Sequence, residues 1–233
     1  MSAPTSHREV EFKFRVPETT DLDVRGLLAG QGLDVVDHDP RSMTATYFDT
    51  PRLSLLRWGI TLRTRQGGGD DGWHMKVPAE PSGSGSTRDE IRVDSAATSI
   101  PSELASLVSP LTRRQELQPM AVVRTQRRPF VICDASGLEL IEVVDDFVDV
   151  DSQADAASAS SFHEVEVELL VDTKPSRKVA AVISRSLIDA GARPSSISKA
   201  AQALGAAAGD PPDVPALPFP DSTAPAIDAL QAI

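Results

Sequence analysis

The chain has 233 residues, enough for one domain with a sizeable core or for one domain and a tail. Its formal net charge of −11 argues against a general nucleic-acid binder, which needs a basic surface. One cysteine, Cys133, excludes an internal disulfide and fits a reducing compartment; no apolar run resembles a signal peptide or a membrane span, so a cytoplasmic protein with no membrane partner is expected.

After a short polar lead, residues 7–16 read as a strand. Within it Glu9-Val10-Glu11-Phe12-Lys13-Phe14 alternates strictly. Residues two apart on a strand share a face, so Glu9, Glu11 and Lys13 lie opposite Val10, Phe12 and Phe14. Capping residues at 17–21 predict a helix through Leu27 and Leu28 that ends near Gly30 or Gly32. Residues 43–49 read as a strand broken by Thr50-Pro51. In the strand at 59–65, Arg63 and Arg65 share a face. The glycine-rich run 66–72 is a hairpin connection, and the short strand 73–77 puts His74 beside Lys76. Beyond a Pro/Gly/Ser-rich loop at 78–87, residues 88–93 place Arg88, Glu90 and Arg92 together.

A helix is predicted near 102–111. Residues 120–132 form a strand interrupted at Pro129, and residues 138–148 form another that carries Asp145-Asp146 at its end. A loop spans 151–161. Then Glu164-Val165-Glu166-Val167-Glu168 sets three carboxylates on one face. Helical spacing returns at 178–190 and again at 195–206, where Lys199 lies off the apolar face. Past Gly209 the composition changes: 208–220 reads as a Pro-rich linker, and 221–233 as a tail or the truncated start of a second helical domain.

About eight hairpin-connected strands carry ionisable residues at period two. Eight antiparallel strands can close into a barrel. The amphipathic helices need an apolar surface, which the outer face of the sheet provides. The expected class is therefore α+β, an eight-stranded antiparallel barrel with a charged lumen and helices packed outside. Carboxylates on two strands would form two walls of one acidic site, and their oxygens suit Mg²⁺ or Mn²⁺. A lumen of both signs is costly unless a ligand satisfies it. Polyphosphate with a divalent ion does so, because its oxygens take Arg and Lys while the ion bridges to carboxylate. An acidic protein can bind such a polyanion if its basic residues are focused in one place.

Other residues carry less. His74 reads as a hydrogen-bonding lining residue. His163 alternates with Glu164 and so points the other way. Cys133 has no visible His/Asp partners, and Gly67–Gly69 lack the Lys-Ser/Thr of a phosphate-binding loop. Trp58 and Trp73 read as packing.

Glu9-x-Glu11-x-Lys13 resembles the signature of the CYTH domain, or triphosphate tunnel metalloenzyme, family. Tyr47-Phe48-Asp49-Thr50, Leu62-Arg63-Thr64-Arg65, Lys76, Thr87-Arg88-Asp89-Glu90, Phe162–Glu168 and Ser198-Lys199 resemble its later motifs, in the family's order. The match covers about residues 7–207. It implies a tunnel that binds a triphosphate end-on with divalent metal. By that resemblance Glu9, Glu11, Glu164 and Glu166 hold metal, supported by Glu168 and by one of Asp145 and Asp146, since alternation lets only one face inward. Lys13, Arg63, Arg65, Lys76, Arg88, Arg127 and Lys199 contact phosphates. Catalysis falls on Lys13, Glu90 and Glu166, with Glu90 orienting its basic neighbours or the water. The family often has a basic residue two positions before Arg127; here that position is Thr125, and Arg124 is the candidate substitute. The resemblance implies metal-dependent hydrolysis of inorganic triphosphate or short-chain polyphosphate. Adenylyl cyclase, thiamine or nucleoside triphosphatase, and a non-catalytic polyphosphate-binding module are its alternatives. The linker and final apolar stripe resemble bacterial proteins in which a CYTH domain precedes a helical CHAD domain associated with polyphosphate.

Overall fold

The first strand, β1 (Thr5–Val16), buries Val10, Phe14 and Val16 on one face and turns Glu9, Glu11 and Lys13 to the other. The same division repeats along the chain. In this computed structural model, which describes residues 4–81, 83–95, 98–113, 115–152, 160–205 and 209–212, β1 is followed by α1 (Val24–Leu27), β2 (Asp34–Asp37), β3 (Arg41–Asp49) and α2 (Ser54–Arg57). Then come β4 (Thr61–Gln66), β5 (Gly72–Pro78), β6 (Ser86–Val93), α3 (Ser102–Thr112), β7 (Gln118–Cys133), β8 (Glu139–Ser152) and β9 (Ser160–Leu169). The described part ends through α4 (Lys174–Asp189), β10 (Arg193–Ser195) and α5 (Lys199–Leu204).

Antiparallel pairing runs β1-β6-β5-β4-β3-β7-β8-β9 and closes from β9 back to β1, so eight strands form a barrel. Closure removes the open edges that a flat sheet would leave. Two of the three apolar clusters lie on the outer face and are covered. Ala180, Ile183 and Leu187 of α4 pack on Phe14, Val143, Val165 and Val167. Leu104 and Val108 of α3 cover Leu62, Trp73, Met75 and Val93. The third cluster lies within the barrel. Ala200 and Ala203 of α5 pack against Tyr47, Ala121, Val123 and Val148, so α5 stops one end of the lumen.

Several elements differ from expectation for local reasons. β7 continues through Pro129, which stays in register opposite Val144. A long ladder tolerates the loss of one N–H, and the Pro129 carbonyl accepts from His38 N–H at 3.1 Å. α1 is a single turn capped by Asp23, whose side chain accepts from Gly26 N–H at 2.9 Å. The short strands β2 and β10 were not anticipated; they add to β7 and β1 at the barrel's rim. Because 193–195 pair with β1, the last helix begins only at Lys199, where Ser198 accepts from Ala201 N–H at 3.1 Å. No helix among the described residues is long and apolar enough to cross a membrane. Beyond Pro212, the expected linker and tail at 221–233 lie outside the described residues.

Asp49 shows how one side chain fixes a turn. It is buried, and it accepts from the N–H groups of Thr50 (2.7 Å), Leu55 (2.9 Å) and Leu56 (2.9 Å). These bonds hold α2 at the end of β3. Asp49→Ala strands three buried donors, at about 1–3 kcal/mol for each group left unsatisfied. The melting temperature should fall by at least about 5 °C, on the usual scaling for a domain of this size. An unchanged thermal denaturation curve would show that α2 is held by packing alone.

Candidate active site

Every barrel strand sends side chains into a single cavity of about 460 Å³. Among the described residues its lining includes eight Lys and Arg side chains and seven carboxylates. The whole chain carries −11, yet this cavity is close to balance. Charges of both signs have been drawn out of water, and most are held by neighbours of opposite sign.

At the end stopped by α5, Lys199 Nζ lies 2.5 Å from Glu164, 2.9 Å from Glu166 and 3.0 Å from Asp146. Arg127 Nη2 donates to Asp146 at 2.7 Å and to Glu166 at 3.1 Å. Lys13 Nζ is 3.1 Å from Glu11 and 3.6 Å from Glu166. Burial alone would favour neutral Glu166, but Lys199, Lys13 and Arg127 outweigh it and hold the carboxyl well below its usual range. Burial likewise opposes charge on Lys199, and Glu164, Glu166 and Asp146 hold its pKa well above the ordinary value.

Midway along the lumen, Lys76 Nζ contacts Glu9 at 2.5 Å and Glu90 at 4.0 Å. Arg63 donates to the Tyr47 hydroxyl at 3.2 Å and lies 3.8 Å from Glu90. His74 is buried with Nδ1 3.2 Å from Glu90, and burial lowers its pKa. For Glu90, burial is outweighed by His74, Lys76 and Arg63, which keep it ionised. At the open end the His7 ring, 59% exposed, sits 3.9 Å from both Glu9 and Glu168.

Two groups of side chains have ligand atoms mutually within 4.8 Å: Asp146, Glu164 and Glu166, and His7, Glu9 and Glu90. The first is an all-oxygen set of the kind that hard divalent cations take. Lys199 already places a positive charge among these three carboxylates. Lys199 contacts Glu164 Oε1 at 2.5 Å, and Lys76 contacts Glu9 Oε2 at the same distance. An ionised carboxylate has lone pairs beyond those one ammonium contact uses, so the donor set fits a divalent ion.

Most of the residues singled out from the sequence meet here. Glu9, Glu11, Lys13, Arg63, Arg65, Lys76, Arg88, Glu90, Arg127, Glu166, Glu168 and Lys199 line the cavity, and Asp146 and Glu164 adjoin it through Lys199. Two do not. Arg124 points outward, largely exposed and 3.9 Å from Asp151, because Thr125 and Arg127 take the inward positions of β7. Thr125 therefore leaves its lumen position uncharged. Asp145 also faces out, buried between Arg128 (2.6 Å) and His163. Asp146 is thus the inward aspartate. His163 points away from the lumen as expected, but it is fully buried, with Nδ1 3.1 Å from the Pro17 carbonyl. The ionisable lining residues not anticipated as site residues are His7, Tyr47, Asp70, Arg92 and Glu142. Alternation with Glu9 could have found His7, and alternation with Glu90 could have found Arg92.

The family model described as "CYTH domain" matches residues 7–202. The chain belongs to the CYTH family. Two Mycobacterium tuberculosis proteins described as uncharacterized, MT2285 of strain CDC 1551 and Rv2226 of strain H37Rv, are each 36% identical over 238 aligned positions. That alignment covers 93% of this CYTH chain and 44% of each relative, so the chain spans under half the length of the relatives it matches. A Bacillus halodurans crystal structure described as a candidate adenylate cyclase superposes with TM-score 0.51 and 17% identity, over 79% of this chain and 90% of that one. That likeness speaks to the CYTH barrel alone.

The Glu166 environment sets a pH dependence. A carboxyl whose folded-state pKa is depressed stabilises the fold fully above its unfolded value. That contribution fades as pH falls below about 4.5, the unperturbed value. The melting temperature of the wild type should therefore drop more steeply below that pH than that of Glu166→Gln. Parallel melting curves against pH would contradict the ion-pair assignment.

Proposed function

We propose that this CYTH chain hydrolyses inorganic triphosphate or short-chain polyphosphate inside the barrel, with a divalent metal ion, Mg²⁺ or Mn²⁺. The observation that carries the reading is the blind, charge-balanced cavity. It offers Lys13, Arg63, Arg65, Lys76, Arg88, Arg127 and Lys199 to anionic oxygens, and it faces them with carboxylates suited to a hard cation. Arg88 has no ion pair among the described residues, which leaves its charge available to a ligand.

Asp146, Glu164 and Glu166 would hold a metal ion, with Glu9 and Glu11 on the neighbouring wall. Bound there, the ion neutralises phosphate charge and polarises the phosphoryl oxygens. The chain's own residues do the rest. Lys and Arg grip the nonbridging oxygens and fix the phosphate chain in line, so that positioning and charge stabilisation dominate. Glu90, set beside His74, keeps Arg63 and Lys76 aimed. Water attacks the terminal phosphorus, the bridging P–O bond breaks, and diphosphate leaves carrying the electron pair.

Phosphate release should be highest with inorganic triphosphate in a panel that includes long-chain polyphosphate, ATP and thiamine triphosphate. It should cease in excess chelator. Preferential turnover of ATP would move the reading to an organic triphosphatase or cyclase, and binding without release would leave a polyphosphate-binding module. Glu11→Gln and Glu166→Gln should each lower turnover about a hundredfold, the scale of one lost electrostatic contribution in an active site. Near wild-type rates in both variants would make those strands structural.

A further inference from the structure

The β4–β5 hairpin folds back over the open end of the lumen. Gly67, Gly68 and Gly69 take positive φ values of 83°, 82° and 78°. A Cβ at position 67 would sit 2.4 Å from the Ser42 carbonyl oxygen, so the turn requires glycine there. The chain then delivers Asp70 into the cavity. Its carboxylate pairs with Arg65 of β4 and Arg92 of β6 at once. It also lies 3.7 Å from His74 Nε2, and its backbone oxygen lies 3.1 Å from the same nitrogen.

Two guanidinium groups at a tunnel mouth thus converge on a carboxylate that belongs to a loop. Arg65 is 9% exposed; burial, with Arg63 and Arg127 close by, brings its pKa down to about 9. Within that crowded basic corner, Asp70 is the carboxylate that pairs with Arg65. The next residue differs. Asp71 is exposed, has no side-chain ion pair among the described residues, and offers Arg92 only its backbone oxygen at 3.5 Å.

We propose that Asp70 determines substrate length: its carboxylate occupies the place of an outer phosphate between Arg65 and Arg92, admitting a triphosphate beneath it and opposing longer polyphosphates. This rests on the reading of the tunnel as a triphosphate site. A longer chain must either displace Asp70 or bring another negative group against it, and discrimination by such an unfavourable contact costs the intended ligand little.

The test is calorimetric titration of the whole protein, with Ca²⁺ in place of Mg²⁺ and the absence of phosphate release checked, by inorganic tripolyphosphate and separately by long-chain polyphosphate. Wild type, Asp70→Asn, Asp70→Ser and Asp71→Asn are compared, with melting curves to certify folding. Affinity for the long chain relative to tripolyphosphate should rise about tenfold in both Asp70 variants, as expected for one repulsive contact removed. It should stay unchanged in Asp71→Asn, which loses the same charge from the same hairpin. An unchanged ratio in whichever Asp70 variant folds, or an equal rise in Asp71→Asn, overturns the proposal while leaving the site reading intact. Failure of the wild type to bind tripolyphosphate overturns both.

Discussion

Lys199 among Asp146, Glu164 and Glu166 is the contact on which the structure of the lumen depends. Three carboxylates within 4.8 Å of one another cannot all remain ionised in a buried site without a cation. The ammonium supplies that charge, and it arrives on α5, the helix whose alanines close the barrel. Closing the fold and balancing the site are therefore one event. Removing one partner of such a buried pair costs more than the pair itself contributes, because the remaining charge is left uncompensated.

The same constraint runs along the tunnel. Lys13 answers Glu11, Lys76 answers Glu9, Arg127 answers Asp146, and Asp70 answers Arg65 and Arg92. Such a lumen is satisfied yet exchangeable. In the proposed reading a polyphosphate with its metal ion brings the same two kinds of charge and takes over both sets of partners. The outward apolar residues take no part in this and pack on α3 and α4.

Legibility in the sequence followed the period of the strands. Glu9, Glu11 and Lys13 could be set on one face before any coordinates, and so could Glu164, Glu166 and Glu168, because β1 and β9 alternate without interruption. Where two like residues are adjacent, alternation alone gives no phase. Asp145 and Asp146 are such a pair, and the register opposite Arg127 settles them. Arg124 is different: it lies three residues from Arg127, an odd offset, so alternation from Arg127 puts it on the outer face. Asp70 was invisible because a turn of three left-handed glycines has no period, so its aim depends on tertiary geometry. The short strands β2 and β10 were missed because three or four residues pairing at a rim leave almost no pattern.

The most direct test is a crystal structure with tripolyphosphate and Mn²⁺, with the metal located by its anomalous scattering. Charge exchange predicts a metal peak bounded by Asp146, Glu164 and Glu166, with Lys199 turned from these carboxylates onto phosphate oxygens inside the barrel. A structure with Lys199 unmoved, no metal peak at the three carboxylates, and the anion bound outside the lumen would contradict it.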